Sequence, residues 1–250
     1  MDFSQSLINA ILQANIITSL TGAGISKESG IPTFREAQTG LWAKYDPQQL
    51  ATPQAFQRNP KLVWEWYQWR RSLIADSNPN PAHDALSNFE KFSPTFHLIT
   101  QNVDGLHQQA GSTNVIELHG NIKRTICFDK RHATAQLPDD ELVPPRCSIC
   151  GSLLRPDVVW FGESLPTDKL EQAYFAAQNA DVFLAIGTSA LVEPAASLPH
   201  IAKQAGAIII EINPDHTPLT PYTDHVLTGP AGDILPALLS ATWPRKETKR

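Results

Sequence analysis

Apolar residues in this chain gather in short, nearly continuous runs, with stretches of helical spacing between them. The runs NIITSL (15–20), FHLIT (96–100), NVIEL (114–118), DVFLAIG (181–187) and AIIIEI (207–212) are rich in β-branched residues. They are too apolar for one-sided strands and predict strands buried on both faces. Residues 3–13, 82–92, 168–179 and 194–205 carry helical patterns. Alternation of this kind predicts an α/β fold, a parallel sheet with helices on both sides. Two regions break the rhythm: 36–80, with an aromatic helical stretch, and 124–156, with all three cysteines and a polar, proline-containing loop. Both read as a smaller domain inserted into the sheet domain, with a cleft between them. The sheet domain then takes about 1–35, 81–123 and 157–240, and the small domain about 36–80 and 124–156.

Composition narrows the function classes. A chain of 250 residues with 42% hydrophobic content buries a full core, enough for one large domain with an insertion. A net charge of −5 argues against general affinity for nucleic acid or membrane surfaces. The start, MDFSQSLINAILQANIITSL, has no basic residue before Lys27 and no small-residue cleavage pattern, so no signal peptide is expected. No apolar run is long enough to span a bilayer. Three cysteines do not make a disulfide scaffold; reduced thiols, free or metal-bound, fit a cytoplasmic protein. The tail PRKETKR reads as a solvated end.

Candidate chemistry begins right after the first strand, at TGAGIS (Thr21–Ser26). Gly22 and Gly24 let the backbone approach a ligand, and exposed amides there favour phosphate. The usual dinucleotide fingerprint is incomplete, because Lys27 stands where a third glycine belongs. The loop that follows, SGIPTFR, is polar and proline-stiffened where a helix should continue. Further polar residues fall at strand ends, where open α/β sheets bind ligands: Gln101, Asn102, Asp104 and His107, then His119, then GTS (187–189), then Asn213. Any one of them suits a cap or a satisfied core group; together they read as a dinucleotide site. The stretch VWEWYQWRR (63–71) predicts an amphipathic helix with an aromatic core stripe. Its Tyr67 and Arg70 share one face at a spacing of three.

The ordered blocks GAGISKESGIPTFR, TQNVDGLH, ELHG, VVWFGE and GTSALVEPAA closely resemble the sirtuins, the NAD-dependent protein deacylases, over about residues 15–235. The resemblance implies a Rossmann-type domain, a small inserted domain built on zinc, and an acyl-lysine tunnel between them. It implies that NAD is consumed: nicotinamide leaves, and the acyl group of a modified lysine ends on ADP-ribose. By resemblance the cofactor site comprises Gly22, Ala23, Gly24, Ile25, Ser26, Phe34, Arg35, Gln101, Asn102, Val103, Asp104, Gly187, Thr188, Ser189, Asn213 and Ala231. His119 is the expected general base, with Asn102 as its catalytic companion. Val159, Trp160, Phe161 and Gly162 should offer main-chain groups to an extended substrate peptide. Tyr67 and Arg70 match the Tyr-x-x-Arg of sirtuins acting on acidic acyl groups, and Arg71 reads as a surface charge.

The cysteines depart from the family pattern of two C-x-x-C pairs. Cys147 and Cys150 form one pair, but Lys130 stands where the partner of Cys127 belongs. An ammonium cannot ligate zinc, so the site is complete only if another residue contributes. His132 is the nearest candidate, with Asp129 behind it; otherwise the hairpin is held by packing alone. The leading expectation is removal of succinyl, malonyl or glutaryl groups, and more weakly acetyl, from protein lysines. Mono-ADP-ribosyl transfer to protein is the competing chemistry, and a non-catalytic NAD-sensing module the competing class. The expected partners are acylated-lysine proteins.

Overall fold

The computed structural model describes residues 1–33, 45–134 and 142–244. Phe34 and Arg35, part of the polar loop and the end of the charged tail lie outside the described residues. A nine-residue helix, α1 (Gln5–Gln13), opens the chain, and the Ser4 hydroxyl caps it by accepting from the Leu7 amide. The five apolar runs all become strands of one parallel sheet: β1 (Ile16–Thr21), β2 (Thr95–Thr100), β3 (Val115–Glu117), β7 (Val182–Ile186) and β8 (Ile208–Asn213). A sixth strand, β9 (His225–Thr228), joins parallel to β8 at the edge. It carries no continuous apolar run because its side chains alternate between half-buried and exposed.

The order across this sheet is β3-β2-β1-β7-β8-β9. The chain moves outward from β1 through β2 to β3, then returns to lay β7 on the other side of β1. In open parallel sheets a reversal of this kind leaves a ligand-binding crevice beyond the carboxyl ends of the strands on either side of it, here β1 and β7. One face of the sheet is covered by α1, α6 (Pro81–Phe92) and α10 (Ala231–Thr242), through Leu7, Leu86, Phe89, Ile234 and Leu238. The other face is covered by α8 (Thr167–Gln178) and α9 (Leu198–Gln204), whose Ala173, Ala177 and Ala202 pack near Leu20, Ile99 and Phe183. Two covered faces explain why these strands have no polar side.

A second, three-stranded antiparallel sheet has the order β5-β4-β6, with β4 (Gly120–Cys127), β5 (Ala133–Thr134) and β6 (Leu154–Val158). Against it pack α4 (Pro53–Arg58) and α5 (Pro60–Ala75), which follow the four-residue α3 (Pro47–Leu50). Phe56, Val63, Trp66, Tyr67, Ile122, Val158 and Trp160 form their shared core. Trp64 is buried in a separate small cluster with Cys127, Cys147 and Leu154. The aromatic stripe of VWEWYQWRR is thus core, as its periodicity predicts.

Arg71 is not the surface charge expected of it. Its Nε donates to the Ile122 carbonyl at 2.6 Å, and an Nη donates to the Arg124 carbonyl at 2.9 Å and the Thr125 hydroxyl at 3.0 Å. The register of β4 against β6 shifts between Asn121 and Thr125, and a bulge there disturbs the ladder beside those carbonyls. Arg71 satisfies them and lies 5.5 Å from the Trp64 ring centroid. Among the described residues, no helix is long and apolar enough to cross a membrane.

Candidate active site

The strand ends beside the crevice are tied directly to one another. The Gly22 amide donates to the Ile186 carbonyl at 3.0 Å, and the Gly24 amide to the Gly187 carbonyl at 2.8 Å. A Cβ on Gly22 or on Gly24 would stand 2.7 Å from the Gly187 carbonyl oxygen. One on Gly187, whose φ is +56°, would stand 2.6 Å from the Ile25 nitrogen. These glycines therefore let two loops meet backbone to backbone. The Ile25 and Ser26 amides also bond within the loop, to Gly22 and Ala23. Helix α2 (Gly24–Lys27) stops after four residues, so the chain turns away where a longer helix would have continued.

From β2, Gln101 donates its side-chain amide to the Thr188 hydroxyl at 3.0 Å. Asn102 donates Nδ2 to the Gly22 carbonyl and the Ser26 hydroxyl, both at 3.0 Å. Asp104 is buried and accepts from the Ser26 hydroxyl at 2.8 Å and the Leu106 amide at 2.9 Å. Leu106 opens the short α7 (Leu106–Gln109), and Gly105 before it has a φ of +73°. Val103 accepts from the Ile122 amide at 2.9 Å, joining this loop to β4. Asn213 donates to the Thr188 carbonyl at 3.2 Å, and Ala231 is buried at the start of α10. The polar residues singled out on β1, β2, β7 and β8 thus form one connected rim. His107 does not face that crevice: it is buried beneath it, 2.9 Å from the Thr21 hydroxyl. Burial, with His83 beside it, pushes the His107 pKa down to about 3, so it stays neutral.

His119 sits between β3 and β4, with Nδ1 2.9 Å from the Gln101 carbonyl oxygen. A carbonyl can only accept, so Nδ1 carries the proton and Nε2 keeps its lone pair. Burial holds the His119 pKa below the usual imidazole value, and the bond to Gln101 partly opposes the shift.

Tyr67 and Arg70 stand near one another on α5. The Tyr67 hydroxyl accepts from Trp160 Nε1 at 2.9 Å, and burial pushes its pKa up to about 12 despite the nearby Arg70. Desolvation lowers the Arg70 pKa, opposed by the charges of Tyr67 and Asp104. Its guanidinium carbon lies 5.3 Å from the Trp66 ring centroid.

The segment VVWFGE is not a continuous strand. Strand β6 ends at Val158, and the following amides are already bonded: Val159 to the His119 carbonyl, Phe161 to the Ala51 carbonyl, and Trp160 to the Glu163 carboxylate. The Val158 and Trp160 carbonyls are bonded as well, to Arg155 and to the Glu163 amide. Sequence reasoning also missed Arg155 and Glu163. Arg155 is buried, donates to both Glu163 oxygens and to the Val158 carbonyl, and lies 3.2 Å from the Trp160 ring centroid. Their spacing around VVWF in RPDVVWFGE was the available signal.

On the antiparallel sheet, the ligand atoms of Cys127, His132, Cys147 and Cys150 lie within 4.8 Å of one another. Cys127 and Cys150 Sγ are 3.7 Å apart, as are Cys147 Sγ and His132 Nδ1. Zinc–sulfur bonds of about 2.3 Å in a tetrahedron put ligand atoms about 3.8 Å apart, so this donor set fits zinc. The His132 amide also donates to Cys127 Sγ, at 3.3 Å. Asp129 is not part of the group among the described residues.

With this geometry in hand, comparison with known proteins is specific. Residues 22–194 match the model of the Sir2 family. An NAD-dependent protein deacylase of Aquifex aeolicus is 58% identical over 84% of this chain and 87% of its own length. The crystal structure of a Sir2 homologue–NAD complex is 48% identical, with a TM-score of 0.90 over 96% of this chain and 94% of that one. A Sir2–p53 peptide–NAD+ structure is 30% identical, with a TM-score of 0.86 over 96% of this chain and 98% of that one. The parallel sheet with its crevice, the smaller antiparallel sheet and the cysteine–histidine cluster are together a Sir2 fold, and the chain belongs to the Sir2 family.

Proposed function

We propose that this Sir2-family enzyme, an NAD-dependent protein-lysine deacylase, prefers acidic acyl groups (succinyl, malonyl and glutaryl) to acetyl. NAD as co-substrate supplies an activated ribose that accepts the acyl group as nicotinamide departs, giving O-acyl-ADP-ribose. Gln101, Thr188, Ser189 and Asn213 would hold its ribose and phosphate groups along the rim, with Ala23 and Ala231 beside them. Phe34 and Arg35 are assigned to the cofactor loop by resemblance alone. Asn102 and Asp104, both joined to Ser26, would orient the nicotinamide end. His119 would act as general base through Nε2, because Nδ1 is committed to Gln101. The sheet part, about 1–35, 81–123 and 157–240, would carry the cofactor, and about 36–80 and 124–156 would flank the acyl-lysine. Zinc on Cys127, His132, Cys147 and Cys150 would hold β4 to the loop before β6. The cysteines are unpaired, which suits a reducing cytoplasm.

One observation carries the acidic preference: Tyr67 and Arg70 share one face of α5, the phenol buried and the guanidinium 5.3 Å from the Trp66 ring centroid, where it feels the charges of Tyr67 and Asp104. An acetyl group ends in a methyl, which gives a guanidinium nothing to bind. A carboxylate end takes Arg70 bidentately and a further hydrogen bond from the phenol. Charge-assisted bonds of about 1.5–3 kcal/mol correspond to roughly a ten- to hundredfold preference. Catalytic efficiencies on matched succinyl- and acetyl-lysine peptides, wild type against Arg70→Met, test this. The succinyl-to-acetyl ratio should collapse in the variant. A wild type that prefers acetyl, or a variant that loses both activities in proportion, would make Arg70 structural.

A further inference from the structure

We infer that Trp160 is a specificity-positioning residue: its indole N–H fixes the Tyr67 hydroxyl as a donor aimed at an anionic acyl terminus. The inference rests on the acidic-acyl reading. An indole nitrogen can only donate, so at 2.9 Å the Tyr67 oxygen accepts from it. That bond occupies a lone pair of the phenol and turns its proton away from Trp160. The cations whose charge reaches the phenol, Arg70 and Arg155, offer only donors and cannot take that proton. Glu163 also reaches it electrostatically, but its oxygens are bonded to Arg155 and the Trp160 amide. Among the described residues, the hydroxyl's one hydrogen bond is the one it accepts. A carboxylate oxygen on the acyl group would complete the phenol's bonding.

Trp160 is well placed to impose this direction because it is itself clamped. Its amide donates to Glu163 at 2.8 Å, and the Arg155 guanidinium covers its ring at 3.2 Å from the centroid. Phe56 packs on the ring at 5.3 Å between centroids, and Tyr67 lies stacked with it at 6.3 Å. A rigid donor on the far side of the phenol orders the hydroxyl before the ligand arrives, which lowers the cost of binding it. Phenylalanine in its place would fill much of the volume without the N–H, leaving the phenol free to rotate its proton.

The test uses KM and kcat, measured separately, for matched succinyl- and acetyl-lysine peptides with NAD. Wild type is compared with Trp160→Phe, Tyr67→Phe and the double variant. A benzothiophene analogue of tryptophan at position 160 replaces the N–H with sulfur and keeps the packing, which covers a Trp160→Phe protein that does not fold. Loss of the N–H should raise the succinyl KM relative to the acetyl KM by roughly three- to tenfold, with the succinyl kcat little changed. In the Tyr67→Phe background it should add nothing. Equal rises in both KM values, or a full effect without the hydroxyl, would overturn the inference and make Trp160 a packing residue. A wild type with no succinyl preference defeats the acidic-acyl reading and the inference with it. A preference that the analogue leaves untouched overturns the inference alone.

Discussion

The Gln101 carbonyl decides what His119 can do, because a single hydrogen bond fixes the tautomer and frees Nε2. Burial favours the neutral imidazole, so the pKa lies below the usual value and the base form survives to lower pH. The kcat/KM should therefore hold through neutrality and fall only as pH drops below about 6.5, the ordinary histidine value. His119→Ala should lose about a hundredfold or more and lose that acid limb with it. An acid limb well above 6.5, or full activity in the variant, would remove His119 from the role. The rim residues were legible in the sequence because each lies within a few residues of a strand end, a local signal. Arg71 was not, because what holds it is a bulge some fifty residues further along the chain, at Asn121–Thr125. Arg155 and Glu163 were missed for a related reason: VVWF reads as strand, and nothing local shows that the strand stops at Val158.

Among the elements, β4 depends most on its neighbours. It carries Cys127 at its end, a register shift in its middle, and the Arg71 bonds from α5. The cysteine–histidine cluster joins that end to the Cys147–Cys150 turn, which argues that a metal stabilises the antiparallel sheet. Purified protein should carry zinc in equal amount to chain by elemental analysis. His132→Ala should release it to a chelator far sooner and lower the melting temperature. Zinc equally tight in that variant would assign the fourth position to another ligand, and zinc-free protein with an unchanged melting temperature would leave the hairpin to packing. The sequence named His132 as a candidate only by proximity. The hairpin between β4 and β5 is what turns it back toward Cys127, where its amide meets the sulfur.

At the scale of the whole molecule, the strand order β3-β2-β1-β7-β8-β9 puts the reversal between the central strands β1 and β7 and gathers distant loops around their carboxyl ends. The parallel sheet was readable because strands buried on both faces leave unbroken apolar runs, as in DVFLAIG and AIIIEI. Strand order was not readable, because nothing in β7 itself says that it pairs with β1 instead of β3. The antiparallel strands escaped notice as well: β4 carries exposed Lys123 and Arg124 in its middle, and β5 is only two residues long. Arg70 on α5 feels the charge of Asp104 in the loop after β2, so the proposed chemistry of the rim and the proposed selectivity of α5 would act on one substrate. Incubation with NAD and a succinyl-lysine peptide, with every product weighed by mass spectrometry, tests that union most directly. Nicotinamide and free lysine should appear in equal amounts, with succinyl recovered on ADP-ribose and little turnover of the acetyl peptide. ADP-ribose attached to protein, or nicotinamide released while succinyl stays on lysine, would contradict it.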